Sequence, residues 1–294
     1  MEINHDAEVS KLARRAFLKR TNLIGLSAAA ATLLGAKRLS ADTPGASGKT
    51  VFPPDSATDI FTAALVAEDL ASTFYYNGLI GQVIQDPRLA GPGGTATNPN
   101  PTNSDPGSVN YLQAALYQEI QHGNLLRSLL GISSPSADPY QTFYIPSGTF
   151  ETLSAFVTLL ETLEDAFIGA YTIATFEFAQ LAVAQEFELA IGNPPGKYTP
   201  DDLEYFAEVA ATIMGVEAEH RALGRDLAGR NPVNNRTYES TDGLRTVFNG
   251  QHSAVAALTP FLTSTTGPAY SLADALAGAP SVYLVTSGSP PPQM

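Results

Sequence analysis

The stretch ATIMGVEAEHRALGRDL, Ala211–Leu227, sets a carboxylate and an imidazole, Glu217 and His220, inside an apolar stripe. Phe206, Ala210, Ile213, Glu217, His220, Leu223 or Gly224, and Leu227 recur at steps of three or four. On an α-helix that spacing aims all of them at the core. A Glu and a His turned inward together cost free energy unless each finds a partner. One metal ion would satisfy both.

The same device occurs once more. Glu119 and His122 stand in YLQAALYQEIQHGNLLRSLLG within the stripe Leu112, Ala115 or Leu116, Glu119, His122, Leu126 and Leu129. Two of the three histidines beyond residue 41 therefore have Glu three residues before them, although only 13 Glu are spread over that length. Surface ion pairing by chance would rarely give both pairs at the same spacing on the same kind of stripe.

Two further stripes carry a Glu each. In a helix expected from Ser56 to about Val83, with Asp55 or Ser56 as N-cap, Phe61, Ala64 or Leu65, Glu68, Ala71 or Ser72, Tyr75 and Leu79 share a face. In one expected from Thr149 to Ile191 the face reads Leu153, Val157, Leu160, Glu164, Phe167, Tyr171 and Phe178. Both contain Glu-Asp followed by Tyr seven residues after the Glu, about two turns on and so on its face. Glu68 precedes Glu119 by 51 residues and Glu164 precedes Glu217 by 53. The chain thus reads Glu … Glu-x-x-His, twice over, and each half offers three ligands.

The joints complete the outline. Residues 86–108, dense in Gly, Pro and Asn, read as a long irregular loop before a second helix at about Val109–Leu130. Residues 132–148 hold three prolines, and these 17 residues could reach on the order of 55 Å, enough to cross a bundle from end to end. GNPPGKYTP (192–200) precedes a fourth helix expected from Pro200 to Gly229. The expected fold is all-α: a four-helix bundle over 56–229 with a long crossover between helices 2 and 3. Residues 230–294 form a C-terminal extension, with short helices expected at 244–263 and 271–278 and a disordered end at SGSPPPQM.

The amino end reads as an address. ARRAFLKR (13–20), an apolar run from Leu23 to Ala36 and LSA before Asp42 resemble a twin-arginine export signal over residues 1–41. That run is shorter than the roughly 20 residues that span a bilayer, so no membrane span is expected after its removal. The leader holds seven of the 16 Lys and Arg but three of the 29 Asp and Glu, which leaves the remainder more acidic than the net −13 of the whole. Such a balance opposes nucleic-acid binding, which needs clustered basic residues. The absence of cysteine excludes disulfides, thiolate ligands and thiol nucleophiles. The expected location is the periplasm or the cell exterior.

Over about residues 56–229 the chain resembles the ferritin-like superfamily, specifically its exported, desiccation-related type. The resemblance rests on the repeated Glu … Glu-x-x-His pattern, which matches the di-iron and di-manganese carboxylate bundles. It implies that Glu68, Glu119, His122, Glu164, Glu217 and His220 hold a dinuclear Fe or Mn centre, two of the Glu bridging the ions. It further implies metal ions and O2 or H2O2 as partners, an oligomer as a possibility, and ferroxidase or catalase-like chemistry. A metal-binding or stress-protective protein without turnover is the alternative.

Other residues carry less. Glu161 reads as solvated or as a neighbour of the ligands, Glu219 as surface and His252 as structural. Tyr75 and Tyr171 read as core tyrosines with satisfied hydroxyls, as partners of a ligand carboxylate, or as participants in redox chemistry.

Overall fold

A computed structural model describes residues 54–82, 84, 106–194, 196–232, 239, 241 and 243–287. The export signal read at 1–41, most of the loop at 86–108 and the end of the chain from 288 lie outside them.

Four long helices form the body: α1 (Ala57–Tyr76), α2 (Pro106–Leu130), α3 (Leu153–Ala190) and α4 (Pro200–Leu227). Each start has a local cause. Ser56 accepts from the Asp59 amide at α1, and Thr152 accepts from that of Ala155 at α3. Thr199 and Asp202 cap each other's backbone at α4, where Pro200 supplies the preset φ of a first turn. α2 begins at Pro106, three residues earlier than expected, for the same reason. After α4, Gly229 takes φ +67°, the left-handed conformation that ends helices.

α1 does not run unbroken to Val83. At Tyr76 it passes into a π turn, Asn77–Gly81. The Asn77 side chain donates to the Thr73 carbonyl four residues back, sharing that acceptor with its own backbone N–H. Gly78 abuts the Phe156 ring so closely that a Cβ would lie 2.4 Å from it.

α1 packs with α2 and α3 with α4, and the ring contacts Phe61–Phe178, Phe74–Phe156 and Phe178–Phe206 set α1 and α4 antiparallel to α3. The four stripes meet in one core that includes Leu65, Leu112, Phe156, Leu160 and Ile213. α3 is long and apolar enough, by length and composition, to cross a membrane; here it is a bundle helix.

The crossover and the tail are joined rather than free. Within the crossover, β1 (Thr142–Tyr144) pairs antiparallel with β2 (Ala269–Ser271) of the tail, Phe143 opposite Tyr270. Of the two short tail helices expected, α5 (Ala254–Leu258) packs on α3 and α1, and α6 (Leu272–Ser287) on α1 and α2. α6 is longer than the expected 271–278. Two buried carboxylates fasten the tail. Asp55 accepts from the amides of Phe248 (2.5 Å) and Asn249 (3.2 Å), and Glu177 from that of Val247 (3.2 Å).

Candidate metal centre

All six residues read from the sequence converge at the middle of the bundle. α1 brings Glu68, α2 brings Glu119 and His122, α3 brings Glu164, and α4 brings Glu217 and His220. Glu68, Glu119, His122 and Glu217 offer ligand atoms that all lie within 4.8 Å of one another; so do Glu119, Glu164, Glu217 and His220. Glu119 and Glu217 belong to both sets. Both imidazoles turn Nδ1 to the carboxylates. His122 Nδ1 is 3.2 Å from Glu68 Oε2 and from Glu217 Oε1. His220 Nδ1 is 3.0 Å from Glu119 Oε1 and 3.1 Å from Glu217 Oε2. Only His122 keeps an edge toward solvent, its side chain 12% exposed against 0% for His220.

Four carboxylates held this close without water are poorly suited to one another. Burial, with Glu217 and Glu119 nearby, lifts Glu68 well above the ordinary carboxylate range even though His122 opposes it. Burial and Glu217 do the same to Glu164. Glu119 goes down: burial works against its charge, but His220 beside it prevails. Burial disfavours charge on the imidazoles too, yet the Glu68 carboxylate raises His122 and that of Glu119 raises His220 well above the usual value.

The cluster fits a cation. Both oxygens of Glu119, Glu164 Oε2 and Glu217 Oε1 are buried and make no hydrogen bond of good geometry among the described residues; Glu119 Oε1 and Glu217 Oε1 have only an imidazole Nδ1 nearby, which faces other carboxylates as well. Buried polar atoms left bare are costly, and a divalent metal ion would satisfy all of them. A set of carboxylate oxygens and imidazole nitrogens suits Fe, Mn or Zn.

The supporting residues were only partly visible in the sequence. Each tyrosine of the repeat serves the Glu of the other half: Tyr75 Oη donates to Glu164 Oε1 at 2.7 Å, and Tyr171 Oη to Glu68 Oε1. Burial and those carboxylates push both phenols upward, so they stay protonated as donors. Gln118 escaped the sequence reading. Its Oε1 accepts from His220 Nε2 at 2.9 Å, which leaves Nδ1 for the cluster.

The Asp that follows each α1 and α3 Glu is held by an arginine, also unforeseen. Arg127 bridges Asp69 (2.5 Å) and Asp138 (2.7 Å), all three buried. Arg221 bridges Asp165 (2.9 Å) and Glu239 (2.6 Å). The Asp repeated after each Glu was the signal that could have revealed them. Glu161 lies outside the cluster, paired with Arg230; Glu219 is exposed, and His252 sits exposed in a turn.

A buried group of Glu and His on four bundle helices is the arrangement of a carboxylate-type metal-binding bundle. A family model for the ferritin-like domain matches residues 56–186 and supports the ferritin-like superfamily for this chain. The match covers Glu68, Glu119, His122 and Glu164 and stops before α4, so Glu217 and His220 rest on the geometry. No curated protein and no solved structure matched the chain.

Proposed function

We propose that the cluster holds a dinuclear Fe or Mn centre and that the protein is an exported oxidoreductase acting on O2 or H2O2. The observation that carries this reading is the sharing of Glu119 and Glu217 between two sets of four ligands, each set completed by one further Glu and one His. Glu68 and His122 would hold one ion and Glu164 and His220 the other. Two ions of a metal that changes oxidation state readily would supply the capacity for a two-electron reaction. The chain's own contribution is positional. Tyr75 and Tyr171 fix the orientation of the two unshared carboxylates. Gln118 fixes the proton on His220 Nε2, and the exposed edge of His122 is the direction from which the cluster meets solvent.

Metal analysis of protein purified from its own compartment is expected to give about two ions per chain. Fe-loaded, Mn-loaded and metal-free protein are then compared for Fe(II) oxidation and for O2 release from H2O2. Activity with Mn alone assigns a catalase-like reaction, and activity with Fe alone a ferroxidase. Should all three be inert while metal stays bound, the protein is a metal-binding or stress-protective protein without turnover. Export rests on Arg14 and Arg15; changing both to Lys is expected to leave an uncleaved precursor in the cytoplasm, and normal processing of that variant overturns the assignment.

A further inference from the structure

Beside the metal cluster, between α1, α3 and α5, lies a pocket of about 30 Å³ whose lining is more than half alanine. Ala63, Ala64 and Ala67 contribute from α1, Ala166 and Ala170 from α3, and Ala257 from the tail helix. Ala166, Ala170 and Ala257 are partly exposed and mark its mouth; Ala63, Ala64 and Ala67 are buried at its inner side. The inner side borders the cluster through the chain itself. Ala67 immediately precedes Glu68, and Leu163, another lining residue, immediately precedes Glu164. Tyr171 lines the pocket as well, and its hydroxyl is the donor to Glu68 Oε1.

We propose that this pocket binds dioxygen and is its way from the bundle surface to the Tyr171–Glu68 edge of the metal cluster. The proposal rests on the oxygen-reactive reading given above and deepens it by choosing between the two oxidants. Water or hydrogen peroxide in a pocket needs two to four polar partners, and the side chains here provide none but the Tyr171 hydroxyl, already engaged by Glu68. Dioxygen needs no partner. A space of about 30 Å³ exceeds the ~10–15 Å³ that one water requires, and apolar cavities of this kind stay dry and accept apolar atoms such as xenon. With Ala174 and Ala254, eight alanines keep the space open where larger side chains would close it. α5, the outer wall, is held in place by the bonds of Glu177 and Asp55 to residues 247–249.

Xenon tests the pocket without any metal. Metal-free full-length protein, crystallised and pressurised with xenon, is expected to show one xenon atom in contact with Ala67, Ala170 and Tyr171. Ala257→Leu, which fills the pocket from the tail side and touches no ligand, is expected to exclude it. In the metal-loaded protein the same variant is expected to keep its metal content, to raise the apparent KM for O2 about tenfold, and to leave the reaction with H2O2 unchanged. Ala170→Leu, filling from the other wall, repeats the measurement should Ala257→Leu fold poorly. A wild-type pocket without xenon, or variants that exclude xenon yet keep the wild-type KM for O2, overturns the proposal. Xenon bound in a chain that takes up no metal retains the pocket as an apolar-gas site and overturns the metal centre instead.

Discussion

Tyr75 Oη donates to Glu164 Oε1 across 2.7 Å, so a residue of the first half of the chain holds the carboxylate of the second. Tyr171 returns the contact to Glu68. The exchange ties the two halves at the cluster and explains why each Tyr stands seven residues after a Glu without touching that Glu. Tyr75→Phe is expected to leave Glu164 with both oxygens unpartnered, since Oε2 already lacks a hydrogen bond. Metal affinity should fall about tenfold, as for other partners of metal ligands, with no change in fold. Metal titration with circular dichroism checks it, and an unchanged affinity removes Tyr75 from a positioning role.

The histidines are not equivalent. His220 is fully buried and bonded to Gln118, whereas His122 has an exposed edge. Both alanine variants are expected to lose metal, and His220→Ala to lose more thermal stability because Gln118 and two carboxylates lose a buried partner. Metal uptake should also release protons, because both imidazoles titrate above their usual value and must give up a proton to serve as ligands. Calorimetric titration in buffers of different ionisation enthalpy reads that release. Equal enthalpies in all buffers would show that the imidazoles do not ligate.

Arg127 neutralises two carboxylates in a place without water. Burial and the neighbouring Asp138 already raise Asp69 well above its usual value, with only Arg127 opposing them. Arg127→Met is expected to cost about 3–5 kcal/mol, the range for removing one partner of a buried pair. The double variant Arg127→Met with Asp69→Asn should recover part of that loss. Urea denaturation of the three proteins decides it, and a cost under about 1 kcal/mol would place the pair in the class of exposed ion pairs.

Glu177 makes the stability of the tail attachment depend on pH. Burial, and then Asp55, push its carboxyl up to about 8. In the folded protein it therefore holds a proton that the unfolded chain releases above the ordinary value of 4.5. Stability falls as pH rises through that window, because the folded state binds the extra proton. Glu177→Gln removes the slope. The variant should match the wild type near pH 4.5 and exceed it by about 1–3 kcal/mol at pH 8, read from denaturation across that range. Parallel pH profiles would contradict the raised value.

The helices, the long crossover and all six cluster residues were legible because burial at helical spacing writes itself as a 3.6-residue period, and Glu or His inside such a period stands out. What stayed hidden depends on contacts between distant segments. Gln118 follows no period of its own, and its worth comes from His220 on another helix. Arg127 and Arg221 belong to none of the quoted stripes, and their role shows only when Asp69 and Asp165 are seen beside them. The π turn at Asn77–Gly81 is a single-turn change of hydrogen-bond register, too local for a periodic pattern. The pairing of β1 with β2 was invisible because three-residue strands carry almost no alternation, and the partner lies far along the chain.

That pairing sets a timetable for synthesis. Thr142 finds its partner in Ser271, and Asp55 its amides in Phe248 and Asn249. A nascent chain can bring the six cluster residues together once α4 has emerged, yet the wall formed by α5 and the clasp on the crossover must wait for residues 247–271, made later. Contacts so distant in sequence close late. A ribosome that stalls after α4 would thus release a chain with its Glu and His cluster gathered in an unsealed bundle, its apolar α1–α3 surface bare and open to aggregation.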